Sequence, residues 1–413
     1  MIELDLKKLK GDIERLLIQP VEKVPIVKLV DSIILYAYAA HASDVHIQPE
    51  ETGIRIRCRI EGMLHDVFNR VTISRRIHQE IISRIKVMAG LRTDEHLAPQ
   101  DGRLRVHAET GGDIDVRVSI MPTYHGENGV LRLLAETRDF TIDGLGLEKE
   151  ELERVKRALS RSYGMILANG PTGSGKTTTL YTFLKQLNRD DTSIITIEDP
   201  IEYALDGVTQ IQVNNQVGLS FASGLRSILR QDPNVIMVGE IRDTETAGIA
   251  INAALTGHLV LSTLHTNDAA TTFPRLIDMG VPPFLVASTI NVVMGQRLIR
   301  TLCSACKKER KLNKEELQGL SEAIPEATDV KGSFYTPVGC VKCDATGYEG
   351  RIGIREVLEV TDEIRKLIMG RASAQDIKQA AVRHGMRTMI VDGLEKAKEG
   401  IVPLEEVLRI LHE

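Results

Sequence analysis

The stretch Leu167–Tyr181, LANGPTGSGKTTTLY, restricts the fold of this chain more than any other. Gly170, Pro171, Thr172, Gly173, Ser174, Gly175, Lys176 and Thr177 fill the template G-x-x-x-x-G-K-[ST], with Thr178 beside them. Apolar Met165–Ala168 before it reads as a short buried strand, and Thr178–Leu187 after it continues at helical spacing. A Gly/Ser/Thr-rich turn that met the pattern by chance would not come with both flanks. The glycines let the backbone wrap closely, so its N–H groups and the start of the next helix point at an anion. Lys176 would bring a point charge to the β- and γ-phosphates, and the Thr177 hydroxyl a ligand for Mg²⁺. The stretch is a nucleotide site.

At 413 residues the chain is too long for one core, and two or three domains are expected. Net charge is −5 and aromatics make up 4% with no Trp, which disfavours both a basic field for nucleic acid and a base-stacking platform. No apolar run is long enough to span a bilayer, and the acid-bearing start MIELDLKKLKGDIERLL is no secretory signal. Together with the cysteine pattern below, this places the chain in the cytosol. Residues 4–17 and 26–40 read as amphipathic helices. From Ser43 the period changes to two, with strands at Asp44–Ile47, Ile54–Ile60 and Met63–Phe68. A helix over Ile77–Met88, a turn at Pro99–Arg103 and strands at Ile114–Ile120 and Gly129–Leu134 follow, giving a small α+β unit that ends near Ala135. The second strand puts Arg55, Arg57 and Arg59 on one face with no acid between them. That is either a solvated face or, because like charges repel, a surface that meets phosphate.

The polar, glycine-bearing run Glu136–Gly146 reads as a linker, and a helix over Leu147–Leu159 opens the next unit. Strands then alternate with helices at Met165–Ala168, Ser193–Ile197, Val235–Val238 and Leu259–Thr263, the pattern of a mainly parallel sheet covered on both faces. Ligands of such sheets lie beyond the carboxyl ends of the strands. The residues found there are Glu198, Asp199 and Glu202, then Glu240, Arg242 and Asp243, then His265 and Asp268. ATP hydrolysis needs a Mg²⁺ clamp, an oriented water and cations for the developing charge. Glu240 suits the metal through a water ligand, Glu198 or Glu202 the attacking water, and His265 the γ-phosphate; His258 falls at the opposite end of its strand.

Cys303-x-x-Cys306 and Cys340-x-x-Cys343 are separated by 33 residues, wider than the usual zinc-ribbon interval. Four thiolates can close a structural Zn²⁺ site. The alternatives are a redox pair or buried unliganded thiols; the paired arrangement and turn-forming Gly339 and Gly347 favour zinc. Lys307, Lys308, Arg310 and Lys311 make this knuckle locally basic, which reads as a solvated surface or as a dock for an acidic or membrane-proximal partner. Helices are expected over Asp362–Gly370, Ser373–His384, Thr388–Gly400 and Pro403–Leu411.

The ordered boxes GPTGSGKT (Gly170–Thr177), IEDPIE (Ile197–Glu202), VGEIRD (Val238–Asp243) and TGHLVLSTLHTND (Thr256–Asp268) resemble the Walker A, aspartate, Glu-bearing Walker B and histidine boxes of the secretion ATPase superfamily. ASDVHIQP, IRCRIEG, PQDGR and DVRVS in the first unit are similar to that family too. The resemblance implies a RecA-like P-loop ATPase core of α/β class (149–302), preceded by N-terminal helices (1–42), a small α+β, PAS-like domain (43–135) and a linker (136–148). A tetracysteine zinc-binding subdomain (303–346) and a C-terminal helical part (347–413) would follow. It implies ATP, Mg²⁺ and Zn²⁺ as cofactors, with Thr177 and Glu240 serving the magnesium and Glu202 the water-activating base. It also implies that the first domain closes over ATP and supplies arginines, for which Arg57 and Arg59 match, while Arg226, Arg230 and Arg242 match arginines lying between the boxes. The family works as homo-hexamers that power type II secretion or type IV pilus assembly through an inner-membrane platform protein and a recruitment protein. The expected address is therefore cytoplasmic, peripheral to the inner face of the membrane through partners, with no nucleic acid bound. A conjugation- or DNA-uptake-type motor and a non-hydrolysing nucleotide-binding regulator are the alternatives. Family members of the secretion and extension branch usually carry a further N-terminal domain, whereas this chain begins almost directly with the arginine-strand domain.

Overall fold

A computed structural model describes residues 6–17, 19–51, 53–68, 75–108, 112–134, 141–324, 333–343 and 345–410. The chain divides into two compact units, Met1–Arg138 and Asp139–Glu413. Residues 136–140 of the expected linker lie outside the described residues.

In the first unit, helices α1 (Leu6–Leu17) and α2 (Ile26–Ala39) precede strands β1 (Ala42–Glu50), β2 (Gly53–Ile60) and β3 (Met63–Asp66). Helix α3 (Arg75–Met88) and strands β4 (Gln100–Ala108), β5 (Gly112–Thr123) and β6 (Gly126–Leu134) complete it. The six strands form one sheet in the order β3-β2-β1-β6-β5-β4, antiparallel throughout. Alternation decides its faces. Val45, Ile47, Ile56, Cys58, Val116, Val118 and Leu131 are buried with Ile33, Ile34, Ile81 and Ile85 of the helices. The sequence predicts a turn at Pro99–Arg103, but β4 already begins at Gln100. Gly102 serves close approach there: a Cβ on it would lie 2.8 Å from the Ala89 carbonyl at the end of α3.

The second unit opens with α4 (Lys149–Leu159), β7 (Gly164–Asn169), α5 (Lys176–Leu187), β8 (Ile194–Glu198) and β9 (Thr209–Gln212). Then come α6 (Phe221–Ile228), β10 (Val235–Val238), α7 (Thr244–Leu255), β11 (Leu259–Leu264), α8 (Thr272–Asp278) and α9 (Pro283–Thr289). The long strand β12 (Ile290–Leu302) leads through β13 (Lys308–Arg310), α10 (Lys314–Ala323) and β14 (Phe334–Thr336) to β15 (Tyr348–Glu359). Helices α11 (Asp362–Met369), α12 (Ala374–Arg383), α13 (Met389–Lys398) and α14 (Leu404–Arg409) end the described chain. Ser373 and Thr388 cap α12 and α13 with their hydroxyls, as their positions in the sequence predict.

The main sheet runs β15-β12-β7-β11-β10-β8-β9. Strands β12 to β9 in that order are parallel, and β15 pairs antiparallel with β12. One face carries α6, α7, α9, α11 and α12, and the other α4 and α5, so the interior strands are apolar on both sides. The segment after the cysteines is thus not helical from its start: β15 returns to the sheet before the helices begin. Its run RIGIREVLEV mixes charge with apolar residues because buried Arg355 donates to Leu145 O and buried Glu356 accepts from the Ala269 and Met389 amides, so neither relies on solvent.

Candidate functional site

Parallel register brings the boxes to one edge. Asn169, the last residue of β7, lies opposite Leu264 of β11, and Val238 of β10 lies opposite both Ser262 of β11 and Ile197 of β8. Gly170, His265, Gly239 and Glu198 therefore follow in a row. The strand ends are cross-tied: Gly239 N–H donates to Ile197 O at 2.8 Å, Ile241 N–H to Thr263 O at 3.0 Å, and the Thr263 hydroxyl to Gly239 O at 2.8 Å. His258 sits at the far end, where its carbonyl accepts from Gly164 N–H.

The loop Gly170–Gly175 turns through positive φ at Gly170 (146°), Gly173 (79°) and Gly175 (89°). A Cβ on Gly170 would stand 2.4 Å from Gln296 O and 2.5 Å from Ser174 Oγ, so only glycine fits. Ser174 is buried with its hydroxyl unpartnered, a donor available to an anion in the loop. Lys176 folds back and donates to Gly170 O at 2.8 Å and Pro171 O at 2.9 Å. Burial pushes its pKa down to about 8; Glu240 opposes that shift and Arg297 of β12 adds to it. Thr177 is exposed, and the Thr178 carbonyl accepts from the Thr182 hydroxyl within α5. Exposed Pro171 and Thr172 form the outer lip. Glycine loop, free hydroxyl and lysine at a helix start are the parts that hold a nucleoside triphosphate.

Glu240, half-buried after β10, shares its carboxylate between Arg242, 2.5 Å from Oε1, and His265 Nε2, 3.1 Å from Oε2. Arg242, His265 and Lys176 thus all act on Glu240. Glu198 is different. Its side chain is buried and accepts from Tyr181 Oη, from Thr196 Oγ1 at 2.7 Å and from Gln210 Nε2 at 3.1 Å. Those donors occupy it, so of the two acids offered for the attacking water it is the one turned inward. Glu202 stands half-buried, its amide donating to Tyr181 Oη at 3.3 Å. Arg226 pairs with Glu245 of α7, and Arg230 with Arg226 O and Ser227 within α6, so neither joins the Glu240 group by these bonds.

Two residues at the site carry no signal in the motif reading. Gln296 of β12 is fully buried, donating from Nε2 to Ser174 O at 2.8 Å and accepting from Thr179 Oγ1 at 2.9 Å. Glu356 of β15, also buried, accepts from Ala269 N–H just past the His265–Asp268 loop at 2.7 Å.

In the first unit, Arg55, Arg57 and Arg59 do share one face, but the premise that no acid accompanies them fails across strands. Arg55 is bidentate to Asp66 of β3, Arg57 bonds Gln48, and Arg59 lies 3.5 Å from Asp44. Register also aligns Arg103, Arg117 and Arg132 with Asp44 and Arg59 in one row across the sheet. That row of four arginines and one acid remains strongly positive.

The four cysteines converge. Sγ–Sγ separations are 3.9 Å for Cys303–Cys340, 3.8 Å for Cys306–Cys343 and 3.7 Å for Cys340–Cys343. Zinc–sulfur bonds of about 2.3 Å in a tetrahedron set edges of about 3.8 Å, so these ligand atoms fit Zn²⁺ and leave it no open position. The amides of Cys340 and Gly347 both point at Cys343 Sγ from 3.2 Å. The basic patch beside them is smaller than the sequence suggests. Lys307 donates to Gly400 O and Arg310 pairs with Glu316 and Glu405, which leaves Lys308 and Lys311 as its exposed charges.

Fold and site together define a P-loop nucleoside-triphosphate enzyme with a RecA-like core. The chain matches the family described as type II/IV secretion system protein over residues 19–409, and it belongs to that family. It is 46% identical over 390 residues to the type IV pilus assembly ATPase PilB of Myxococcus xanthus, covering 94% of this chain and 68% of that protein. To PilB of Thermus thermophilus it is 47% identical, covering 92% of this chain and 42% of the relative. To the type II secretion system protein E of Xanthomonas campestris it is 46% identical, with 94% and 68% covered. Among solved structures, the pilus retraction motor PilT with bound ADP superposes with a TM-score of 0.63 at 26% identity, over 92% of this chain and 96% of that one. DotB of Legionella pneumophila shares the fold at a TM-score of 0.69 and 24% identity, over 92% and 95%.

Proposed function

We propose that this chain hydrolyses ATP as the motor subunit of a type IV pilus assembly or type II secretion machine, acting as a homo-hexamer on the cytoplasmic side of a membrane platform protein. The observation that carries the reading is Glu240, held between Arg242 and His265 at the edge where Lys176 and the glycine loop converge. Relatives that cover more than nine-tenths of the chain are named as such ATPases. Among the described residues no helix is long and apolar enough to cross a membrane, which suits recruitment through partners.

ATP with Mg²⁺ supplies the phosphoanhydride bond and the charge that the site must stabilise. Lys176 exchanges the Gly170 and Pro171 carbonyls for phosphate oxygens, regaining as a charge partner what burial takes from it. Thr177 and Glu240 would hold the Mg²⁺ that accompanies ATP, which would supply positive charge for the phosphates. Glu202 orients and deprotonates the attacking water. His265, bonded to Glu240, changes partner as the γ-phosphate is lost and passes that change to its loop. Arg57 and Arg59 are the arginines that the family resemblance offers for the phosphates. Zn²⁺ on the four cysteines is structural.

Phosphate release from MgATP by the purified chain tests this. Turnover should fall by at least about 100-fold in Glu240→Gln while MgADP binding persists, the scale expected when one charge-stabilising group is removed. A wild-type chain without turnover, or a Glu240→Gln variant that equals it, would remove the assignment.

A further inference from the structure

The two buried polar side chains that no motif announced, Gln296 and Glu356, lie on adjacent antiparallel strands, where Gly295 pairs with Glu356 and Gln296 with Arg355. Side chains alternate across a sheet, so the two point to opposite faces. Gln296 looks toward α5. Both ends of its amide are used: Nε2 holds the Ser174 carbonyl and Oε1 takes the Thr179 hydroxyl, so one side chain spans the phosphate loop and the first turn of the helix after it. Its own carbonyl is the atom against which Gly170 packs. Glu356 looks toward α8. Its Oε1 accepts from Ala269 N–H at 2.7 Å and its Oε2 from Met389 N–H, the first residue of α13, at 3.3 Å. Gly295 makes room for this, since a Cβ there would stand 2.9 Å from Glu356 Oε1 and 3.1 Å from the Ala269 amide. Burial pushes the Glu356 pKa up, and the two backbone amides that bond it are what hold so deeply buried a carboxyl in one position.

We propose that the β12–β15 pair is the positioning frame of the nucleotide site: Gln296 fixes the phosphate loop, and Glu356 fixes the loop that carries His265. The inference rests on the nucleotide reading above and adds a division of labour to it. Neither residue touches the reacting atoms; each acts through a loop. Because Gln296 holds the groups that grip the phosphates in every state, its loss should weaken binding of product and substrate alike. Glu356 holds the loop whose histidine contacts Glu240, so its loss should slow turnover and leave ground-state binding alone.

The experiment measures MgADP affinity by titration and steady-state ATP turnover on the full chain, with thermal melts alongside. Gln296→Met keeps the volume and removes both hydrogen bonds; it should raise the MgADP Kd about tenfold with kcat within about twofold of wild type, the scale set by leaving a buried acceptor unpaired. Glu356→Gln keeps the shape but sets an NH₂ against one of two N–H donors; it should lower kcat about tenfold with Kd within about twofold. Thr179→Val cuts the Gln296 bond from the other side and should reproduce the Kd shift if Gln296→Met proves unstable. Wild-type Kd in both Gln296→Met and Thr179→Val, or wild-type kcat in Glu356→Gln, overturns the proposal, as does a melting shift with neither constant changed. A wild-type chain that binds no MgADP overturns the nucleotide reading instead.

Discussion

Lys176 offers the sharpest test of the site because its charge is both needed and disfavoured. An exposed lysine stays protonated to about pH 10.4, but burial beside the phosphate loop brings this one down to about 8. Arg297 pushes in the same direction, and Glu240 only partly offsets them. A bound phosphate chain supplies negative charge at the ammonium and restores its proton, so above pH 8 nucleotide binding must take up a proton. The sign follows directly: affinity is flat while the free site is already protonated and falls as pH rises through its pKa. For a free-site pKa of about 8 and a much higher bound value, Kd scales as 1 + 10^(pH − 8). Between pH 7 and pH 9 that is a weakening of about tenfold, or about 1.4 kcal/mol. Phosphate itself ionises near pH 6, below this window.

MgADP titrations at constant ionic strength from pH 6.5 to 9.5 would show the curve. Lys176→Arg, whatever its absolute affinity, should lose the rise, because guanidinium keeps its proton throughout. A flat wild-type profile to pH 9.5 would mean that Lys176 is solvated like a surface lysine.

Three further outcomes are expected. Tyr181→Phe and Glu198→Gln should each cost about 1–3 kcal/mol by breaking a buried hydrogen-bonded set, lowering Tm while turnover remains measurable; abolished turnover at unchanged Tm in Glu198→Gln would instead make Glu198 the base. The purified chain should carry one zinc per four-cysteine cluster by elemental analysis, and Cys343→Ser or strong chelation should remove it and lower Tm; a metal-free chain with an unchanged melt would refute the structural zinc. Arg57→Ala should leave the melt intact and lower ATP turnover severalfold, and unchanged turnover would detach the arginine strand from the chemistry.

How much of this was readable in the sequence depends on how local each determinant is. Gly170–Thr177 forms its turn from its own glycines, and Val235–Val238 is a strand at the very residues its apolar run marks, because a strand buried on both faces needs only continuous hydrophobicity. The ends of such strands order the chemistry, so Glu240 and His265 could be placed together from spacing. Side-chain direction is another matter. Glu198 and Glu202 are four residues apart, and only the packing of Tyr181, Thr196 and Gln210 around Glu198 tells which is turned inward. Strand β12 escaped because Gln296, Arg297 and Arg300 break its apolar run; Gln296 reaches back to Ser174 and Thr179 and Arg300 on to Glu406, each more than a hundred residues away. The acids beside the arginine face escaped for the same reason. Asp66 and Asp44 sit on neighbouring strands, where no reading along β2 alone can see them.

The same two strands give the four-cysteine cluster a part in holding the nucleotide site. Gln296 and Cys303 lie seven residues apart along one chain direction, a span of about 23 Å in extended backbone. A long antiparallel pair at the edge of a sheet frays from its open end unless something closes it. Here Cys303 N–H bonds Gly347 O at 2.9 Å, and the four sulfurs join the outgoing strand β12 to the incoming strand β15. Arg300 locks the same end from the side, through Glu406 of α14 and over the Tyr348 ring at 3.9 Å. A strand fixed at that end cannot slip in register, and a slip of one residue would turn Gln296 and Glu356 to the wrong faces. The cysteine site therefore needs no catalytic role to matter to catalysis. Holding the register of β12 against β15 is enough to keep both loops of the nucleotide site where their chemistry requires them.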